Sequence, residues 1–215
     1  MLGIIYKDFY ECFLIKKNAL NWLVAVFMII VLTVCMKTIY VFMLNVAIVI
    51  PLCGTSALQF SIEQDEISNF DKIQLTFPIT IKEIVLAKYI LGLMIQGMTF
   101  ICSFILTQIY VYGFKLISLQ QALPIWMTGI VISLLFFSIS YIGFFILGNK
   151  KGTILYLIIL VIIALSYMTA AFNIGVKELL LMDKTWLLLI GVMIAVIALI
   201  ASYFISLKIY TKRHS

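Results

Sequence analysis

The chain has 215 residues, 65% of them apolar and 11% charged, with a formal net charge of +6 and a mean hydropathy of +1.21. An ordinary water-soluble domain is about half apolar and about a quarter charged, so this chain has too little polar surface to cover itself in water. A soluble enzyme is excluded, and the bilayer is the relevant solvent.

Six stretches carry no Asp, Glu, Lys or Arg: 18–36, 38–62, 89–114, 116–149, 152–176 and 185–207, each between 19 and 34 residues long. A helix needs roughly 20 apolar residues to cross roughly 30 Å of hydrocarbon, and a charge at its centre costs roughly 3 kcal/mol. The expected fold class is an all-α integral membrane protein with six transmembrane helices, near 19–36, 39–60, 89–111, 124–147, 153–172 and 186–207. A transmembrane barrel would alternate polar and apolar residues over roughly 10-residue strands; these stretches do not.

With both termini cytoplasmic, eleven Lys/Arg lie inside, and four (Lys37, Lys115, Lys177 and Lys184) lie outside. That bias follows the positive-inside rule. The surplus charge then reflects topology and lipid headgroups, and no basic run with interleaved aromatics offers a nucleic-acid surface. The expected location is the cell membrane, with residues 1–215 forming one multi-pass domain.

The opening MLGIIYKDFYECF lacks a basic region ahead of its apolar residues, so the first span is expected to act as an uncleaved anchor. Within residues 1–18, Leu2, Ile5, Tyr6, Phe9 and Phe13 recur at helical spacing, with Lys7, Asp8, Glu11 and Asn18 opposite. This pattern predicts an interfacial helix lying among the headgroups. In the second span, Pro51, Gly54, Thr55 and Ser56 predict a kink or break. The cysteines Cys12, Cys35, Cys53 and Cys102 are scattered without a CxxC pair and read as reduced packing residues.

Residues 61–88 form the one sizeable polar segment and hold five of the nine acids. Ser61 and Gln64 have capping-box spacing and predict a short helix over 62–73, and Thr80 with Glu83 predicts a second helix start that runs on to about 111. About 31 residues at 1.5 Å each reach about 46 Å, so the third span begins outside the hydrocarbon or tilts. The later connections are brief: 112–123, a Gly-Asn-Lys-Lys turn at 148–151, and 173–185 with a small amphipathic piece.

The chemistry of catalysis is missing. His214 is the only histidine, and neither an HExxH site, a GxSxG elbow nor a GxxxxGK[ST] phosphate loop is present. No catalytic residue and no metal site is expected. Gly92, Gln96, Thr99, Ser103 and Thr107 share one face of the third span, with small-xxx-small pairs at Gly129/Ser133 and Ala198/Ser202. Such a face either lines a pathway or lets helices pack closely.

The polar segment carries a recognisable run: Asp65-Glu66, Asp71-Lys72, Pro78-Ile79-Thr80, Lys82, Ile84-Val85 and Ala87-Lys88-Tyr89. It resembles the ABC-2 type permeases, in particular the short bacterial branch that includes phenol-soluble-modulin exporters. Phe77 stands where that pattern has Leu, and Ile81 where a polar residue is common. The resemblance implies a permease subunit that is not itself an enzyme and works with a separate cytosolic ATP-binding subunit, where ATP and Mg would reside. It also implies a second permease copy or homologue.

On that resemblance, the segment 61–79 between spans two and three is a cytosolic coupling helix. Ile67 and Phe70 would be its apolar anchors and Asp65, Glu66, Asp71 and Lys72 its charged rim. Export of a hydrophobic or amphipathic cargo, with a peptide favoured, is the expected function. The alternative is a six-helix substrate-binding subunit of an energy-coupling importer, against which the long acidic segment argues.

Overall fold

The computed structural model describes residues 1–173 and 185–214, and the amphipathic piece expected near 176–184 lies outside them. The described chain is almost entirely helical, its helices joined by short turns. Helix α1 is Leu2–Phe13 and α2 is Lys16–Cys35. Helices α3 (Ile39–Leu44), α4 (Ile50–Cys53) and α5 (Ser56–Ser68) form one irregular rod, followed by the single turn α6 (Phe70–Ile73). Helix α7 is Ile81–Gln108, and α10 is Thr185–His214. Between them, the helical stretch Leu119–Asn173 is interrupted at Gly148, whose φ of 73° and ψ of −172° are not helical. We label its two halves α8 (119–147) and α9 (149–173).

That interruption is a reversal. The rings of Phe136 and Tyr156 lie 4.9 Å apart, whereas twenty residues of straight helix would separate them by about 30 Å. Gly152 rests against Phe144, and Gly143 against Leu155, so α8 and α9 are the arms of an antiparallel hairpin. The left-handed φ that the turn needs is open to glycine at no steric cost. Among the described residues, five helices are long and apolar enough to cross a membrane, the hairpin being counted as one.

The break expected in the second span takes two forms. Residues Asn45–Val49 make a π-helical turn just before Pro51, which has no N–H for the helical ladder. Further on, the chain turns at Gly54-Thr55, where the Thr55 hydroxyl donates to the Leu52 carbonyl at 2.7 Å. Gly54 is needed there because a Cβ would sit 2.6 Å from Gln96 Oε1. The capping box at the start of α7 forms as expected: Glu83 N–H donates to Thr80 Oγ1, and Thr80 N–H donates to Glu83 Oε2 at 2.9 Å.

The Ser61–Gln64 box does not form. Helix α5 already runs from Ser56, so Ser61 sits mid-helix, and the helix ends at Asn69, whose φ of 52° is left-handed. The expected helix over 62–73 is therefore two pieces with a break at Asn69. Aromatic packing fills the centre of the molecule: Tyr89 has Phe137, Tyr141, Phe145 and Tyr203 around it at ring separations of 4.9 to 6.3 Å.

The elements sort by end. α1, the 61–88 segment, the Gly148 turn and the end of α10 meet at one end, joined by the contacts described below. At the opposite end, Lys37 lies over the Phe114 ring at 5.2 Å, and the Tyr167 hydroxyl donates to the Tyr40 carbonyl at 2.9 Å.

Candidate functional site

Lys88 opens the apolar run of α7, yet it is 3% exposed. A buried ammonium must find anions and acceptors. Its Nζ donates to Asp65 Oδ2 on α5 and Ser61 Oγ, both at 2.6 Å, and pairs with Asp8 Oδ2 on α1 at 3.4 Å. Lys7 binds the other Asp65 oxygen and lies 3.0 Å from Asp8 Oδ1. Three helices far apart in sequence are thus closed on one network of buried charge. Removing one partner of such a group typically costs about 3–5 kcal/mol, because the other charge stays buried and unpaired.

This overturns the expected orientation of α1. Its acids do not face water; Ile4, Asp8 and Cys12 point into the protein, while Leu2, Tyr6 and Tyr10 are exposed. The helix is amphipathic in the expected sense, but its polar face is spent on Lys88. Asp8, Glu11 and Asp65 each place a carboxylate oxygen within 4.8 Å of the others, a spacing a bound cation would bridge. Here the ammonium groups of Lys7 and Lys88 serve that purpose. Burial pushes the Glu11 carboxyl up to about 7; Lys7, 3.3 Å away, opposes the rise, while Asp65 and Asp8 add to it.

The same segment is tied to the remaining helices. Glu63 pairs with Lys17 of α2. Glu66 Oε1 accepts the backbone N–H of Asn149, at the turn of the α8–α9 hairpin, at 2.9 Å. Gln74 donates through Nε2 to the Tyr210 hydroxyl of α10 at 3.0 Å. One residue beyond Lys88, the Tyr89 hydroxyl lies 2.6 Å from Ser202 Oγ and 2.9 Å from Ser206 Oγ on α10. Residues 63–74 therefore have a direct grip on α1, α2, α7, the hairpin and α10.

The exposed residues of the segment include four large apolar ones set among Glu66, Ser68, Asn69, Lys72 and Thr76. Ile67, Ile73, Leu75 and Phe77 are exposed. Phe70 is not the exposed anchor expected: it is partly buried, stacked edge-on against Phe77 at 6.1 Å, with the Lys7 ammonium 4.1 Å from its ring centre. Ile67 and Phe70 do not share a helical face, because the left-handed Asn69 stands between them. Of the polar rim, Asp65 is buried, Asp71 is partly buried, and Glu66 and Lys72 are exposed.

All five residues of the polar face on α7 are buried within the chain. A Cβ at Gly92 would collide with the Tyr141 hydroxyl. Gln96 donates to the Pro51 carbonyl at 2.8 Å and to Ser133 Oγ at 3.0 Å. Thr99, Ser103 and Thr107 hydroxyls return to carbonyls of their own helix, and Trp126 donates to Ser103 at 3.0 Å. Gly129 admits the backbone of Ala47, and Ser202 donates to the Ser138 carbonyl at 2.8 Å. Of the five, Thr99 alone also lines the large cavity between α2 and α7, about 420 Å³ and walled by residues such as Trp22, Ile29, Ile50, Ile95 and Ile105.

Asp8, Lys7, Lys88, Gln74 and Tyr210 escaped the sequence reading as site residues. One signal was available: Lys88 immediately precedes an uncharged run of 26 residues, and an ionisable group at the root of a span calls for a named partner.

The family model described as "ABC-2 family transporter protein" matches residues 3–211. The chain belongs to that family and is the membrane permease of an ABC transporter system, which works with an ATP-binding partner. No curated protein and no solved structure matches it. The residues that carried the resemblance include those at the charged end: Asp65 and Lys88 form the central ion pair of the buried network, and Tyr89 bonds to α10.

Proposed function

We propose that this chain is the permease subunit of an ABC exporter, with six spans, both termini in the cytoplasm, and residues 61–79 as the segment on which the ATP-binding partner docks. The carrying observation is the two-sidedness of that segment. Its inner side grips five helical elements through Glu63, Asp65, Glu66 and Gln74, and its outer side leaves Ile67, Ile73, Leu75 and Phe77 uncovered. An uncovered apolar strip outside the hydrocarbon is a protein-binding feature. A push on it would reach the spans through hydrogen bonds and ion pairs, with little slack to absorb it.

The α8–α9 hairpin supplies the sixth crossing. All eleven Lys/Arg assigned to the cytoplasm fall on the segments at the charged end or next to it, in agreement with the positive-inside rule. The apolar cavity between α2 and α7 supports a hydrophobic or amphipathic cargo, and we favour a peptide moving outward. A second permease, a copy or a homologue, would complete the transporter, with ATP and Mg held by the partner.

The test is purification from native membranes in mild detergent. The double variant Ile67→Asp with Ile73→Asp should lose the ATP-binding subunit while inserting and purifying normally. Full retention of that subunit would overturn the docking assignment.

A further inference from the structure

The charged end contains a second cavity. It measures about 180 Å³ and lies between the 65–74 segment, the Gly148 turn and the end of α10. Its charged lining is Asp65, Glu66, Asp71, Lys88 and Arg213. Three carboxylates face two cations, so the lining is one positive charge short of neutral.

The surplus does not rest on Asp65, which Lys7 and Lys88 neutralise. Glu66 gives one oxygen to Asn149 and keeps the other. Asp71 makes no ion pair among the described residues.

Gln74 adds a separate observation. It lines this cavity, it is 2% exposed, and its Oε1 has no hydrogen-bond partner. In its amide orientation, Nε2 donates to the Tyr210 hydroxyl at 3.0 Å and faces the Asp71 carbonyl, which only accepts, at 3.4 Å. A buried acceptor is thereby left unsatisfied at a cost that a bound donor would remove.

We propose that this cavity is a socket for one lysine side chain of the ATP-binding partner, inserted between residues 65–74 and the end of α10. An ammonium carries three donors, which suits acceptors supplied singly by Glu66, Asp71 and Gln74. A guanidinium is suited instead to a single carboxylate met edge-on by its planar fork. The lysine stem would lie along Ile62, Phe144 and Phe145, which form the apolar wall. Glu66 and Asp71 belong to the segment that carries the docking strip, so a partner seated on the strip is within reach of the socket. The inference rests on the docking assignment above and adds to it a specific contact.

The full chain is purified with its partner from native membranes as wild type, Gln74→Met, Asp71→Asn, and the Ile67→Asp/Ile73→Asp double variant. Gln74→Met and Asp71→Asn should each lower retention of the ATP-binding subunit by at least about tenfold, with the thermal midpoint of the isolated chain unchanged for Asp71→Asn. Zero-length carbodiimide coupling of the wild-type complex should join Asp71 or Glu66 to a lysine of that subunit. Wild-type retention by both single variants, with loss in the double variant, would overturn the socket and leave docking intact. Retention by all three would overturn docking itself. Coupling of Asp71 to an aminophospholipid in place of a protein lysine would also overturn the proposal and give the socket to a lipid headgroup.

Discussion

Two spans of this molecule are nearly equally apolar and have opposite fates. In the rod Ile39–Ser68, 78% of the most apolar window is buried within the chain; in α2, Lys16–Cys35, the figure is 11%. The rod contains Asn45, Pro51, Gly54, Thr55 and Ser61, each engaged by a neighbour, whereas α2 presents Leu23, Phe27, Met28 and Ile30 outward. Hydropathy selects both for the membrane because lipid and protein interior are alike to an apolar side chain. What separates them is the polar and small residues, which are tolerated in hydrocarbon only where something inside the protein satisfies or contacts them. Helix α10 resembles α2, with 11% of its window buried. Both helices turn most of their apolar side chains outward, as does much of α9 through Leu157, Val161 and Leu165.

The largest test of this contrast strikes the interior charge. Lys88→Met leaves Asp8 and Asp65 to share Lys7 alone, one buried charge short of balance, and should lower stability by about 3 kcal/mol, read as a fall in the thermal midpoint in detergent. Met28→Ala on the exposed face of α2 should stay within about 0.5 kcal/mol. Equal effects at the two sites would break the distinction.

A smaller effect is expected from two glycines on α7. Gly92→Ala forces a methyl group against Tyr141 and Phe137 and should cost about 1–3 kcal/mol. Gly97 has no neighbouring atom within 4 Å of a built Cβ, so Gly97→Ala should be neutral or stabilising by up to about 1 kcal/mol from helix propensity.

The smallest effect concerns pH. In the folded chain, the Glu11 carboxyl is pushed up to about 7 from an ordinary value of 4.5. The folded state therefore holds this proton more tightly than the unfolded one. Stability from this group is full below about pH 4.5 and is lost as the pH rises through about 7. Glu11→Gln should flatten the decline in thermal midpoint between pH 6 and 8. An unchanged slope would mean that Glu11 does not titrate there.

Much of the architecture was legible because its causes are local or averaged. Charge gaps marked the long helices, since a charge in hydrocarbon is costly whatever its neighbours are. The Thr80–Glu83 box was legible because both partners lie in one turn. The Gly148 turn was announced by Gly-Asn-Lys-Lys. Ser61–Gln64 misled because a capping box reads the same where a helix has already begun five residues earlier.

The candidate site was only half visible. Asp65 and Lys88 stood in the recognisable run, but nothing near Asp8 indicates a partner 80 residues away. The side of α1 that turns inward depends on that partner. The partial burial of Phe70 was invisible for a similar reason: its cover is Lys7, on another element.

The separation of Asp8 from Lys88 also sets an order of assembly. During synthesis, α1 leaves the ribosome long before Lys88 exists to meet it. The first helix must therefore wait at the membrane surface with its acids hydrated until α5 and the base of α7 have been threaded into place. Only then does Asp8 meet counter-charges that offset the cost of leaving water. The docking of α1 thus depends on α5 and the base of α7 standing in place to receive it.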